Sequence, residues 1–266
     1  MATATKLLLT DLMSVANHVP SNYIRPISDR PNLSDVQISD ASSIPLIDLK
    51  DLHGHNHSNI IKQIGLACQT DGLFQVKNHG VPEEMIKDML SIASEFFNLP
   101  ESERLKMYSD DPSKTTRLST SFNVRTEKLS NWRDFLRLHC YPLEDYVQEW
   151  PSNPPSFREQ VGEYCTSVRG LVISNGKYRS VLHRAVVNCN SERISIPTFY
   201  CPSPDAVIGP AKDLISHDQP AMYRNFTYAE YFEKFWNRGL ATSCCLDLFK
   251  PNLQCMIMYA NCAILY

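Results

Sequence analysis

Apolar residues recur at helical spacing in some stretches of this chain and alternate at strand spacing in shorter ones. Ile60, Ile61, Ile64 and Ala67-Cys68 predict an amphipathic helix that ends near Asp71-Gly72. Met85, Met89, Ile92, Ala93, Phe96 and Phe97 predict a second, stopped before Pro100. Phe157, Val161, Tyr164, Val168 and Leu171 predict a third, opening at Ser156 and running into the turn residues Ile173-Ser174-Asn175-Gly176. A last helix is predicted over 228–238, with Tyr231, Phe232, Phe235 and Trp236 as packing residues. Strands are predicted at Ile44–Leu49, Leu73–Val76, Trp132–His139, Tyr178–Val187 and Arg193–Tyr200. Residues 20–45 are rich in Pro, Ser, Asn and Asp and read as an extended lead-in, 109–128 as a polar surface loop, and Trp150–Pro155 as proline punctuation. The tail 253–266 is apolar and rich in Cys and Met, unlike anything before it.

Composition narrows the class. A formal net charge of −3 gives no basic footprint for nucleic acid. No run approaches the roughly 18–20 apolar residues of a membrane helix, and Leu7-Leu8-Leu9 is too short for a signal peptide, so a cytoplasmic location is expected. The nine cysteines contain no Cys-x-x-Cys pair, are odd in number and scattered, and read as reduced, mostly buried thiols rather than a disulfide framework.

The residues that carry chemistry are His183 and, ten residues on, Arg193-Ile194-Ser195. If the turn between the two predicted strands centres near Asn190, then His183, Arg193 and Ser195 can look into one cavity. A non-haem Fe(II) oxygenase holds its metal with two His and one carboxylate and leaves positions open for co-substrate and oxygen. The far carboxylate of 2-oxoglutarate needs a forked cation such as Arg, and a Ser two residues on can add a hydrogen bond.

The chain resembles plant 2-oxoglutarate/Fe(II)-dependent dioxygenases, in the branch containing salicylate hydroxylases linked to downy-mildew susceptibility and leaf senescence. The resembling segments include Asn22–Pro26, Ile44–Leu49, Gly72–Gly80, Thr115–Asn123, Asn131–Asp134 and the stretch from Ile173 to about Asn252. The resemblance implies that His183 is an iron ligand and that Arg193 and Ser195 bind 2-oxoglutarate. It also places Arg117, Ser119 and Ser121 at a substrate mouth, with an ordinary surface loop as the competing reading. The implied fold is α+β: an N-terminal α/β segment, then a double-stranded β-helix (jelly roll), here incomplete, with a C-terminal helix. The corresponding division is a lead-in over 1–43, a non-haem dioxygenase N-terminal domain over 44–155, a partial Fe(II)/2-oxoglutarate domain over 156–252, and the tail.

The chain departs from the family at one place. The family carries Asn-x-Tyr and His-x-Asp motifs on strands after the third helix, whereas Val172 here abuts Ile173. None of the eight histidines, at 18, 53, 55, 57, 79, 139, 183 and 217, is followed two residues later by Asp or Glu. A jelly roll needs about eight strands, and the chain after Val172 supplies about half. Two readings stay open: hydroxylation of a small phenolic such as salicylate with Fe(II), 2-oxoglutarate and O₂ (or flavonoid-type oxidation in the parent enzyme), and a catalytically silent, truncated isoform. The silent form would expose strand edges and self-associate. His53, His55 and His57 read as a solvated loop, adjacent His217-Asp218 as no metal site, and His79 as fixing a strand-to-helix turn.

Overall fold

The computed structural model describes residues 8–30, 44–121, 124–125, 127–168, 191–199, 201–210, 215, 220–237 and 245–250. Predictions for the strand over 178–187, His183, the pair His217-Asp218 and the tail 253–266 lie outside these residues. The chain divides into two compact units, one of residues 1–171 and 178–199, the other of 172–177 and 200–266. Among the described residues no helix is long and apolar enough to cross a membrane.

The first unit opens with helix α1, Leu9–Val15, inside a segment expected to be extended. Its cap is not local. The Leu9 and Thr10 N–H groups donate to the Asp134 carboxylate at 2.8 and 2.9 Å, and Leu8 is fully buried beside them. A carboxylate at this end satisfies orphan donors and opposes the helix dipole. Asp134→Ala is expected to cost about 0.5–2 kcal/mol and to speed amide exchange in α1 first, which hydrogen-exchange mass spectrometry would measure. Uniform exchange across the unit would count against a capping role.

Strand β1 (Leu46–Asp48), helix α2 (His57–Thr70) and strand β2 (Gln75–Lys77) form a parallel β-α-β unit over a small core of Ile47, Ile60 and Ala67. The β2 strand lies slightly later than the apolar run Leu73–Val76 suggested. It ends in a turn where Asn78 and Gly80 take φ of 54° and 86°, conformations that Asn and Gly tolerate best. His79 accepts the Val81 N–H there, in the turn-fixing role expected of it. Helix α3, Glu83–Phe97, buries Met89, Ile92 and Phe96, spaced three and four apart, as its periodicity required. A short helix α4 follows at Glu101–Arg104.

Strand β3 (Thr116–Thr120) pairs antiparallel with β4 (Asp134–Leu138). The polar-loop reading of 109–128 is therefore corrected: its middle is a buried strand. Only Leu118 on β3 is strongly apolar, so hydropathy alternation could not reveal it, yet cross-strand pairing satisfies the backbone. After helix α5 (Leu143–Tyr146), helix α6 (Phe157–Val168) packs on α3, with the Phe96 and Phe157 rings 5.6 Å apart. The main core joins Leu8, Met89, Ile92, Phe96, Leu118, Trp150, Phe157 and Val161.

The predicted strand Arg193–Tyr200 is also corrected: residues 193–199 belong to no strand. The side-chain alternation survives without the pairing. Arg193, Ser195 and Pro197 are exposed while Ile194 and Ile196 are half-buried, and Ile196 packs on the main core. Period-two burial needs only an extended chain against a surface; a strand also needs a neighbour for its N–H and C=O groups, and Pro197 has no N–H to give.

In the second unit, strands β5 (Val207–Ile208) and β6 (Phe226–Thr227) pair antiparallel, and helix α7 spans Tyr228–Asn237. Tyr231 and Phe235 of α7 pack on a core of Phe226, Cys245 and Phe249, while Phe232 is exposed and stacks on Trp236 at 6.1 Å. Among the described residues the strands pair as three two-stranded sheets.

Candidate functional site

The β3–β4 hairpin has two unlike faces because side chains alternate across it. One face carries Leu118, Leu136 and Leu138 into the main core. The other carries Arg117, Ser119 and Ser121 from the β3 side, opposite Arg137, Phe135 and Arg133. Arg117 stands directly across from Arg137, and Ser119 across from Phe135.

Arg117 is fully buried, with its Nε donating to the Ser109 carbonyl at 2.8 Å. Burial, and then the like charge of Arg137, weakens its hold on its proton. The guanidinium carbons of Arg117 and Arg133 stand 5.3 and 5.5 Å from the centre of the Phe135 ring, within cation–π range. Arg137 donates to the Pro112 carbonyl at 2.7 Å and also to that of Lys114, and burial again lowers its pKa. Ser121 Oγ donates to Glu127 and accepts the Asn131 N–H, each at 2.6 Å, so Ser121 ties the loop together. Ser119 Oγ is buried and makes no hydrogen bond. The face thus concentrates positive charge around one half-buried ring, with a spare hydroxyl at its centre.

Sequence reasoning singled out Arg117 and Ser119 of β3 and the adjoining Ser121, and missed Arg133, Phe135 and Arg137. The signal was available in cross-strand pairing, but it required recognising β3 as a strand. The other expected residues fall elsewhere. Arg193 and Ser195 occupy consecutive outward positions of the 191–199 segment, both exposed, and His183 lies outside the described residues. His53, His55 and His57 are exposed, and the His57 Nδ1 sits 2.6 Å from the Leu52 carbonyl oxygen at the start of α2.

Residues 44–157 match the family described as the N-terminal region of the non-haem dioxygenase of morphine synthesis, and residues 138–202 match the 2OG-Fe(II) oxygenase superfamily. Protein DMR6-LIKE OXYGENASE 2 of Arabidopsis thaliana is 49% identical over 345 aligned positions, covering 94% of this chain and 99% of that protein. The chain belongs to the 2-oxoglutarate/Fe(II)-dependent dioxygenase family. Protein DMR6-LIKE OXYGENASE 1 of the same plant is 46% identical, again over 94% of this chain and 99% of the relative. A crystal structure of JOX2 in complex with 2OG, Fe and JA superposes with a TM-score of 0.77 at 22% identity, covering 93% of this chain and 98% of that one. The fold is therefore that of a 2-oxoglutarate oxygenase, with mixed helices and strands.

Fe(II) and 2-oxoglutarate are the metal and co-substrate of the family, whose members act on small molecules. The residues on view do not fit the metal. Among the described residues no group of three or more His, Cys, Asp or Glu side chains is placed to hold an ion. The whole sequence lacks a His-x-Asp or His-x-Glu pair. A facial site needs three protein donors; one imidazole does not hold Fe(II) against water with useful affinity.

Proposed function

We propose that this chain descends from an oxygenase that hydroxylates a small phenolic acid such as salicylate, and that as written it is catalytically silent on its own. The observation that carries the second half is the mismatch in length and ligands. The alignment to DMR6-LIKE OXYGENASE 2 spans 345 positions and this chain has 266 residues, so at least 79 positions have no residue here. Absence of the His-x-Asp pair is what the loss of such a block after Val172 would produce, together with an incomplete jelly roll. The match over 44–157 supports the division into an N-terminal domain over 44–155 and a partial catalytic domain over 156–252.

In this reading His183 is the surviving iron ligand, and Arg193 and Ser195 are the anchor for the far carboxylate of 2-oxoglutarate. Arg117, Ser119 and Ser121 belong to the substrate side. The arginine face suits a planar acid, whose ring can lie against Phe135 while its carboxylate takes a guanidinium fork.

Purified anaerobically, the chain is expected to bind less than a tenth of an equivalent of Fe(II), by the weakness of a single imidazole ligand. It should also release no succinate above the protein-free background, with or without salicylate. Stoichiometric iron together with salicylate-dependent succinate would establish a working enzyme and overturn the silent reading. The interrupted barrel also predicts self-association through strand edges, and light scattering showing a monodisperse monomer would remove that part.

A further inference from the structure

A short piece of the N-terminal lead-in is fastened to the far end of the β3–β4 hairpin. Ser21–Tyr23 form one turn of 3-10 helix after Pro20, and the chain then leaves extended through Ile24. The Ser130 N–H donates to the Asn22 carbonyl at 2.7 Å, and the Asn22 side chain donates to Ser130 Oγ at 3.4 Å. Arg25 Nη2 donates to Asn131 Oδ1 at 3.3 Å. The Tyr23 ring meets the Trp132 ring edge-on, with centres 5.0 Å apart and planes at 85°. Ser130, Asn131 and Trp132 are thus gripped by one strap.

Ser121 faces them across the hairpin end. It is fully buried with φ of 62°, a left-handed conformation that a serine keeps only where its contacts impose it. Those contacts run two ways. Toward the strap, Ser121 Oγ accepts the Asn131 N–H at 2.6 Å. Toward the arginine face, its carbonyl accepts the Arg133 Nε–H at 2.9 Å and its N–H donates to the Arg133 carbonyl at 2.8 Å. Arg133 in turn sets its guanidinium 5.5 Å from the centre of the Phe135 ring. Arg117 and Arg137 are held instead by carbonyls of residues 109–114.

We propose that residues 22–25 are a latch that positions Arg133 on the arginine face, with Ser121 as the intermediate. With the strap seated, Asn131 holds Ser121 in its left-handed conformation, and Ser121 holds the Arg133 guanidinium against Phe135. When the strap lifts, Ser121 relaxes to an ordinary φ and its carbonyl turns away from Arg133 Nε. The strap end opens first, because Asn22 is exposed and its side-chain contact, like that of Arg25, is long. Tyr23 and Arg25 are therefore positioning residues that act through Arg133. The consequence rests on the reading of this face as the substrate side: the latch sets whether the Arg133 fork is aimed at a carboxylate there.

The test is NMR on the full chain, following solvent exchange of the Arg133 and Arg117 Nε–H resonances. Tyr23→Ala should speed exchange at Arg133 by roughly three- to tenfold, the loss of one aromatic pair, and leave Arg117 at its wild-type rate. Tyr23→Phe keeps the ring and should leave both unchanged. Arg25→Ala removes one polar contact with the rings still paired. It should move Arg133 in the same direction, and it supplies the reading even where Tyr23→Ala does not fold. Ser121→Gly should free Arg133 without lifting the strap, so the Trp132 indole resonance stays at its wild-type position. The proposal is overturned if Arg117 accelerates in parallel with Arg133, which is loosening of the whole hairpin, or if Arg133 keeps its wild-type rate in the strap variants. It is equally overturned if Ser121→Gly leaves Arg133 protected. All rates are read without iron, 2-oxoglutarate or salicylate, so they decide the latch independently of whether the face takes an acid or the chain releases succinate.

Discussion

Replacing Arg104 by alanine is expected to lower the unfolding free energy of the first unit by about 3–5 kcal/mol, the range for breaking a buried ion pair from one side. Arg104 is only 5% exposed. Its Nε donates to the Leu99 carbonyl at 2.8 Å, its Nη1 to Thr10 Oγ1 at 2.6 Å, and its Nη2 to the Asp11 carboxylate. One planar fork thus joins the end of α3 to α1 across more than ninety residues of chain. Removing it leaves the Asp11 carboxylate, itself mostly buried, without its guanidinium. Lysine is no substitute, because a point charge cannot serve three acceptors in these directions. Urea titrations of Arg104→Ala, Asp11→Asn and the double variant would supply the coupling energy. If the losses add with no interaction, the pair is not what holds α1 down.

That pair also shows what the sequence could and could not reveal. Elements whose signal is local were legible. The helix at 83–97 declares itself by Met89, Ile92 and Phe96, and the stretch at 157–168 by Phe157 and Val161, because a buried stripe at period 3.6 needs no partner to be seen. Helix α1 was hidden for the opposite reason. Its N-terminal donors are satisfied by Asp134, 125 residues away, and its own Leu8 offers no cap. Strand β3 was hidden because it buries arginine and serine, which pattern reading assigns to solvent; carbonyls of the 109–114 loop and the Phe135 ring make that burial tolerable.

The site divides along the same line. Arg117, Ser119 and Ser121 were candidates through family resemblance, whereas Arg133, Phe135 and Arg137 join their face only through strand register. Arg193 and Ser195 carry the expected two-residue alternation but not the strand, since alternation reports a surface on one side and says nothing of a hydrogen-bonding neighbour. The absence of a His-x-Asp pair was legible at once, because such a pair is either written in a chain or it is not.

Trp150→Ala is expected to match or exceed the Arg104 loss, at about 3–5 kcal/mol for a large aromatic removed from a packed core. Trp150 is 1% exposed and shares the main core with Phe96, Phe157, Val161 and Leu118. Its indole N–H donates to the His139 carbonyl at 3.1 Å, and its own carbonyl takes two hydrogen bonds from Arg158, at 3.1 and 2.8 Å. The residue therefore joins the strand exit at 139 to the start of α6 while filling the space between them. Truncation opens a cavity and leaves the His139 carbonyl short of a partner, and the two costs can be separated. Trp150→Phe keeps most of the ring and loses the N–H, so its cost of about 1–3 kcal/mol reports the unmade hydrogen bond and the smaller volume change. The remaining difference to alanine reports the cavity. Circular dichroism at 222 nm during urea unfolding measures both, and an unchanged m-value would show that the loss lies in the native state. A Trp150→Ala variant within 1 kcal/mol of wild type would mean that the neighbouring helices collapse into the gap, and that the core is not organised around this ring.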